Sequence, residues 1–279
     1  MTFRTLIDAA TLKQRLDDPE CRVVDVRHQL SDTAYGERVY RESHIPGAVF
    51  LHCDRDLSGP MTGSNGRHPL PDPHMLARRL GELGIDANTQ VVVYDDAQGM
   101  IAGRLWWLLR WLGHDRVAVL DGGWQAWLAA GGECSLAIPR PVSEPFALAQ
   151  RPLAVDLNAV AKMLGDPTMA LVDARAADRF RGENETIDPV GGHIPGALNR
   201  FFRDNLQADG RFKPAGQLLD EWRAVIGNRS PASLVHYCGS GVSACHNLLA
   251  LEIAGLSGAR LYGGSWSEWC ADPSRPVAL

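Results

Sequence analysis

Four short blocks of this chain occur twice, in the same order and at nearly the same separation. Val23-Val24-Asp25-Val26-Arg27 is matched by Leu171-Val172-Asp173-Ala174-Arg175, 148 residues on. His44-Ile45-Pro46-Gly47-Ala48 is repeated letter for letter at His193-Ile194-Pro195-Gly196-Ala197, 149 residues on. Val91-Val92-Val93-Tyr94 is matched by Leu234-Val235-His236-Tyr237 at an offset of 143, and Gly122-Gly123-Trp124-Gln125-Ala126-Trp127 by Gly264-Ser265-Trp266-Ser267-Glu268-Trp269 at 142. Such a period is too long for a solenoid repeat and is that of a whole domain of roughly 130 residues. The chain therefore reads as a duplication: a first copy over 1–137, a linker over 138–152 and a second copy over 153–279. The stretch from Ala137 to Pro152 carries Pro139, Pro141, Pro145 and Pro152 and has no hydrophobic period, which suits an extended connection.

Within each copy, short apolar runs alternate with amphipathic ones. In the first, Arg22 to Val26, Val91 to Tyr94 and Arg116 to Leu120 read as buried strands. Asp8 to Leu16, Met75 to Leu83 and Gly103 to Leu112 read as helices. Continuously apolar strands separated by helices imply a parallel sheet covered on both faces, so the expected class is α/β, built twice.

The net charge of −5 gives no whole-molecule attraction to nucleic acid or to an anionic membrane, so neither is expected as a partner. An anionic ligand would need a local cluster of cations and N–H groups. Met1 to Leu12 lacks the basic and apolar regions of a secretory signal. No apolar run reaches the ~20 residues that span a bilayer. The six cysteines are scattered and include no C-x-x-C, which favours free thiols in the cytoplasm over a disulfide scaffold. Cys245-His246 lacks a second ligand pair, so no metal is expected, and no organic cofactor is implied.

One cysteine stands apart. Cys238 ends the strand-like run Leu234 to Tyr237 and opens the loop Gly239-Ser240-Gly241, after which an apolar helix-like run extends from Val242 to Ile253. Ligands of open parallel sheets bind at the carboxyl ends of strands. Backbone N–H groups and the helix dipole there favour a thiolate, and so a nucleophile. A cysteine phosphatase needs arginine six residues after its nucleophile, and that position is Ala244. In the first copy the 142 offset sets Asp96 opposite Cys238, in the loop Asp95 to Met100, which offers no such nucleophile. Only the second copy is expected to be catalytic.

Taken together, the paired H-I-P-G-A blocks, the strand ends, the Cys238 loop and Gly263 to Trp269 resemble the two-domain rhodanese sulfurtransferases over nearly the whole chain. The resemblance implies two tandem rhodanese-like domains, each a parallel sheet flanked by helices. It also implies a reaction in which a donor gives a sulfane sulfur to the cysteine, forming a persulfide, which passes it to cyanide or a thiol, such as that of thioredoxin. Thiosulfate-using members typically place basic residues just after the cysteine; mercaptopyruvate-using members read C-G-S-G-V-T. Here the loop is Cys238-Gly239-Ser240-Gly241-Val242-Ser243, which resembles the mercaptopyruvate class, and Gly239, Gly241, Val242 and Ser243 are its candidate substrate-binding residues. The missing cations should weaken thiosulfate binding. By the same resemblance Arg179 matches the arginine that holds the substrate carboxylate, and Asp54, His68 and Ser240 match an Asp-His-Ser proton relay. One departure stands out: a second carboxylate-binding arginine, usual nine residues after the first, is replaced by Asp188. Arg67, Arg181 and Arg200 are the candidates to replace it. The alternatives are a thiosulfate:cyanide sulfurtransferase and a non-catalytic sulfur carrier.

Plainer roles compete for some of these residues. Arg179 could form a surface ion pair with Asp178 or Glu183, and Asp54 and His68 could make ordinary loop hydrogen bonds. His44 and His193 occur in both copies and are expected to be structural. Trp106, Trp107, Trp111, Trp124 and Trp127 suit packing, and Cys245, two helical turns beyond Cys238, suits a buried thiol.

Overall fold

The structure, a computed structural model, describes residues 2–279. It separates into two compact units. Of the described residues, one comprises 2–59, 71–151 and 209–211; the other comprises 60–70, 152–208 and 212–279. The segment 60–70 thus packs with the second unit although it lies within the first half of the sequence.

In the first unit the strands are β1 (Leu6–Ile7), β2 (Cys21–Asp25), β3 (Val49–Phe50), β4 (Gln90–Tyr94) and β5 (Val117–Leu120), with helices α1 (Ala9–Lys13), α2 (Tyr35–Glu42), α3 (Pro73–Glu82), α4 (Met100–Trp111) and α5 (Gly123–Ala129). All pairings are parallel and the strand order is β1-β5-β4-β2-β3. The middle strand is the most apolar: Val91, Val92 and Val93 are fully buried, as a parallel strand covered on both faces demands. The second unit repeats the plan with β6 (Ala154–Val155), β7 (Ala170–Asp173), β8 (Leu198–Asn199), β9 (Leu234–Tyr237) and β10 (Arg260–Tyr262) in the order β6-β10-β9-β7-β8. Its helices are α6 (Leu157–Met163), α7 (Ala177–Phe180), α8 (Ala215–Ile226), α9 (Ser243–Ile253) and α10 (Ser265–Trp269). The two sheets are the same sheet made twice, and the α/β class and the duplication are as the sequence indicates.

The repeated blocks are the joints of this plan. Asp25 and Asp173 end β2 and β7 with their carboxylates fully buried, each gripped by the guanidinium of Arg27 or Arg175 two residues on, at 2.7 Å. The same arginines donate at 2.6 Å to the carbonyls of Ser43 and Gly192, which tie the H-I-P-G-A loops to the sheet. His44 and His193 are likewise structural: their Nδ1 atoms lie 2.7 and 2.8 Å from the carbonyls of Tyr40 and Phe180. Each copy opens with a short strand and an aspartate N-cap, Asp8 taking the N–H of Thr11 and Asp156 that of Ala159. Trp106, Trp107, Trp111 and Trp127 are buried, and Trp124 stacks on Tyr94. The proline-rich stretch has no helix or strand over 138–150 and is held on the first unit by Glu144, Ala149 and Arg151, whose N–H groups donate to Gly81, Leu112 and Trp111.

Candidate active site

β9 delivers Cys238 to the carboxyl edge of its sheet, and α9 begins five residues later. The intervening loop turns through Gly241, whose φ of +79° lies in the left-handed region. That turn brings the Gly241 N–H to 3.1 Å from Cys238 Sγ. A side chain at Gly241 would strike the Gly263 carbonyl at 2.4 Å, so packing as well as φ demands glycine here. Among the described residues no acceptor takes the N–H groups of Gly239, Ser240, Val242 or Ser243. The site therefore offers a sulfur atom beside a set of backbone donors at a helix N-terminus, an arrangement suited to anions.

The β10–α10 turn fixes this loop from behind. Ser265 Oγ accepts the Cys238 N–H at 3.1 Å and donates to the Tyr262 carbonyl at 2.9 Å. The N–H groups of Trp266 and Ser267 donate to the carbonyls of Cys238 and Gly239, both at 2.9 Å. Ser267 Oγ also accepts the Arg67 N–H at 3.1 Å, which anchors segment 60–70 beside the cysteine loop. Nothing in the sequence reading singled out Ser265 and Ser267; the available signal was their place in the repeated G-x-W block.

Two arginines crowd the loop from the other side, each paired with a buried acid. A methyl group built on Gly239 would meet Arg67 Nη2 at 2.8 Å and the Arg179 guanidinium at 3.7–3.9 Å. Both cations thus face the residue that follows the cysteine. Of the candidates to replace the missing arginine, only Arg67 stands there: Arg181 pairs with Glu183 and Arg200 with Glu221. Burial pulls the Arg67 guanidinium below its ordinary pKa, and its proximity to Cys238 opposes that shift. Arg179 is not paired with Asp178 or Glu183 through its guanidinium; Glu185 takes it in a bidentate pair at 2.9–3.0 Å. Asp188 bridges the two arginines, accepting from Arg67 Nη1 and lying 3.4 Å from Arg179 Nη2. Glu185 and Asp188 are almost fully buried.

Ser240 Oγ lies 2.7 Å from His68 Nδ1, so two members of the expected relay are joined in the second unit. Asp54 belongs to the first unit, where its carboxylate lies 3.7 Å from His28 Nε2. His28, Cys53 and Asp54 bring donor atoms within 4.8 Å of one another. That set is poorly prepared for a cation, because burial pushes the Cys53 thiol up to about 12 and the Arg104 charge bears on it. Cys245 is buried and donates to the Gly241 carbonyl at 3.3 Å, a packed thiol as expected.

In the first copy the structure corrects the equivalence drawn from the 142 offset. The strand register and the Trp124 N–H, which donates to the Asp95 carbonyl at 2.8 Å as that of Trp266 does to Cys238, set Asp95 and not Asp96 opposite the cysteine. The shift arises because the two loops differ in where the glycine turn falls, at Gly99 and at Gly241.

A cysteine at a strand end, cradled by a loop and helix N-terminus and repeated in scaffold but not in nucleophile, defines a tandem rhodanese-type protein. The rhodanese-like domain model matches residues 8–130 and 156–272, and the chain belongs to that family. A Pseudomonas aeruginosa protein named "probable 3-mercaptopyruvate sulfurtransferase" is 52% identical over 285 residues, covering 100% of this chain and 99% of that one. The "thiosulfate sulfurtransferase" of Rattus norvegicus is 33% identical over 282 residues, covering 96% of this chain and 92% of that one. The solved structure of SseA, a 3-mercaptopyruvate sulfotransferase of Escherichia coli, superposes with a TM-score of 0.81 at 31% identity, over 95% of this chain and 99% of that one. Among the described residues no helix is long and apolar enough to cross a membrane.

Proposed function

We propose that this protein is a sulfurtransferase that takes a sulfane sulfur from 3-mercaptopyruvate onto Cys238 and passes it to a thiol or to cyanide, with residues 1–137 a non-catalytic copy and 153–279 the catalytic one. The carrying observation is Cys238 itself, held at the N-terminus of α9 with the Gly241 N–H on its sulfur and two arginines beside the next residue. The Cys238 sulfur attacks the substrate sulfur, the sulfur–carbon bond breaks, and its electron pair leaves with the three-carbon fragment as pyruvate enolate. The product on the enzyme is a persulfide. The enolate takes a proton and departs as pyruvate; the His68–Ser240 pair is the proton source in this reading, with Asp54 as its third member. Arg179 and Arg67 hold the carboxylate, which suits their planar forks. Gly239 leaves room for those guanidinium groups, while Gly241, Val242 and Ser243 form the donor rim. The acceptor then attacks the outer sulfur and regenerates the thiol; thioredoxin is a fitting thiol of this kind. Free thiols at all six cysteines support a reducing compartment, the cytoplasm.

The name of the rat relative favours a second reading, thiosulfate as donor. The test is kcat/KM for 3-mercaptopyruvate and for thiosulfate with one acceptor, together with intact-mass detection of an extra sulfur on Cys238. A clear preference for 3-mercaptopyruvate supports the reading. A preference for thiosulfate transfers it to the second, and neither donor loading Cys238 leaves the sulfur-carrier alternative.

A further inference from the structure

We propose that Asp188 is the donor-selecting residue of this site: by bridging Arg67 and Arg179 it cancels charge in the anion pocket beside Cys238, so that singly charged donors are favoured over doubly charged ones. The proposal rests on the sulfurtransferase reading and adds to it the means of selection. Four formal charges form one cluster around the two arginines that face Gly239. Arg67 and Arg179 supply two positive ones, and Glu185 and Asp188, both almost fully buried, supply two negative ones. The two acids have different work. Glu185 is committed to scaffolding: it accepts from Arg179, from Arg175 at 3.4 Å, and from the N–H groups of Ile187 and Asp188 at 2.9 and 3.0 Å. Among the described residues the Asp188 carboxylate contacts only the two arginines that face the cysteine loop. Each arginine keeps a second edge turned toward Gly239, so an anion can still be held there. That anion meets a pocket of no net charge, however, and a pocket of no net charge has little reason to take a dianion out of water.

Charge cancellation of this kind has a quantitative consequence. Removing one negative charge at fixed distance changes the Coulomb energy of a bound dianion by twice that of a monoanion, so the fold-change for thiosulfate should be the square of that for 3-mercaptopyruvate. In a partly exposed, screened site a single charge is expected to alter monoanion affinity about threefold, and so that of the dianion about tenfold. Asp188→Asn keeps the shape and an oxygen for Arg67 while deleting the charge.

The experiment compares wild type, Asp188→Asn and Arg67→Met, the last removing a cation so that the effect reverses. Three quantities are measured: kcat/KM for 3-mercaptopyruvate, kcat/KM for thiosulfate, and the ratio of Cys238 alkylation rates by iodoacetate and neutral iodoacetamide. The expected result for Asp188→Asn is a rise of about threefold for 3-mercaptopyruvate, about tenfold for thiosulfate and about threefold in the alkylation ratio. Arg67→Met should move all three the other way. An unchanged thiosulfate-to-mercaptopyruvate ratio, or an unchanged alkylation ratio, in both variants overturns the proposal while leaving the transfer reaction intact. If neither donor loads Cys238 in any variant but the alkylation ratio moves as expected, the sulfurtransferase reading fails and the charge-cancelling role of Asp188 stands. Should Asp188→Asn not fold, Arg67→Met alone carries the same test with the sign reversed.

Discussion

The loops after β4 and β9 are the same loop in two states of use. In the first copy the Asp95 carboxylate turns inward and takes four backbone N–H groups, those of Ala97 and Gly99 on Oδ1 and of Ile101 and Ala102 on Oδ2, all at 2.8–3.0 Å. Full burial still pushes its pKa above the ordinary carboxylate value, against those four donors. In the second copy Cys238 takes one donor. The cradle at a strand end is thus an anion site by construction. The first copy fills it with its own carboxylate; the second places the Cys238 sulfur there, with a single N–H on it. The first loop keeps its fold without a sulfur there, because the Asp95 carboxylate satisfies the donors that would otherwise be orphaned.

The largest expected effect comes from erasing the difference. Cys238→Asp should give the second loop the filled cradle of the first and lower sulfur transfer by roughly a thousandfold or more, since no nucleophile remains. Urea unfolding should show stability close to that of the native protein. Retained turnover would place the reacting thiol elsewhere. Next in size are the buried pairs that both copies share. Arg175→Met leaves the Asp173 carboxylate buried without its cation and should cost ~3–5 kcal/mol, as should Arg27→Met for Asp25. The check is the urea midpoint of each variant; a cost below ~1 kcal/mol would mean that Tyr94 and Tyr237, which also bear on these carboxylates, suffice to hold them.

A third difference concerns pH. Where the first copy has Val93, the second has His236, fully buried with both ring nitrogens lacking a hydrogen-bond partner. Burial drives its pKa down to about 3, so the folded state accepts only the neutral ring, whereas the unfolded chain protonates near 6.5. Stability from this residue is therefore complete above pH 6.5 and is lost as pH falls toward 3, at ~1.4 kcal/mol per pH unit. His236→Val should remove that loss, so that its stability relative to the native protein improves by ~2 kcal/mol between pH 7.5 and pH 5. Urea titrations at the two pH values measure it, and parallel pH profiles for the two proteins would refute it.

These contrasts also mark what could be read from the chain. The duplicated blocks gave away both sheets because they are structural joints: a buried Asp–Arg pair and an Ile-Pro-Gly turn tolerate few substitutes at a strand end. Cys238 was legible because its loop chemistry is local, written in consecutive residues. The Ser240–His68 contact was reached only through family resemblance, since it joins residues 172 apart. Asp188 was visible only as a departure. Sequence shows an acid where a cation is usual, but not that Arg67 comes in from a segment counted with the other half, nor that Ser267 holds it there. The slip from Asp95 to Asp96 has the same origin: an offset averages over insertions, and a hydrogen bond does not.

The smallest expected effect tests how the cysteine loop is braced. Ser265 has a φ of +56°, a conformation strained for any residue with a Cβ, whereas the first copy has glycine, Gly123, at φ +57°. A methyl group on Gly123 would lie 2.3 Å from the Asp95 carbonyl, so the first copy has no freedom there. The second copy accepts the strain in return for two hydrogen bonds, one of them to the otherwise unpaired Cys238 N–H. Ser265→Gly relieves the backbone but orphans that N–H, for a net loss of ~1 kcal/mol. Ser265→Ala keeps the strain and loses the same bonds, so it should cost ~2 kcal/mol. Alanine is ordinarily the better residue near a helix, so glycine outranking alanine here is the informative result. Urea midpoints of the two variants decide it. If alanine is the more stable, the left-handed turn carries no strain, and Ser265 stays in place of glycine for its hydroxyl alone.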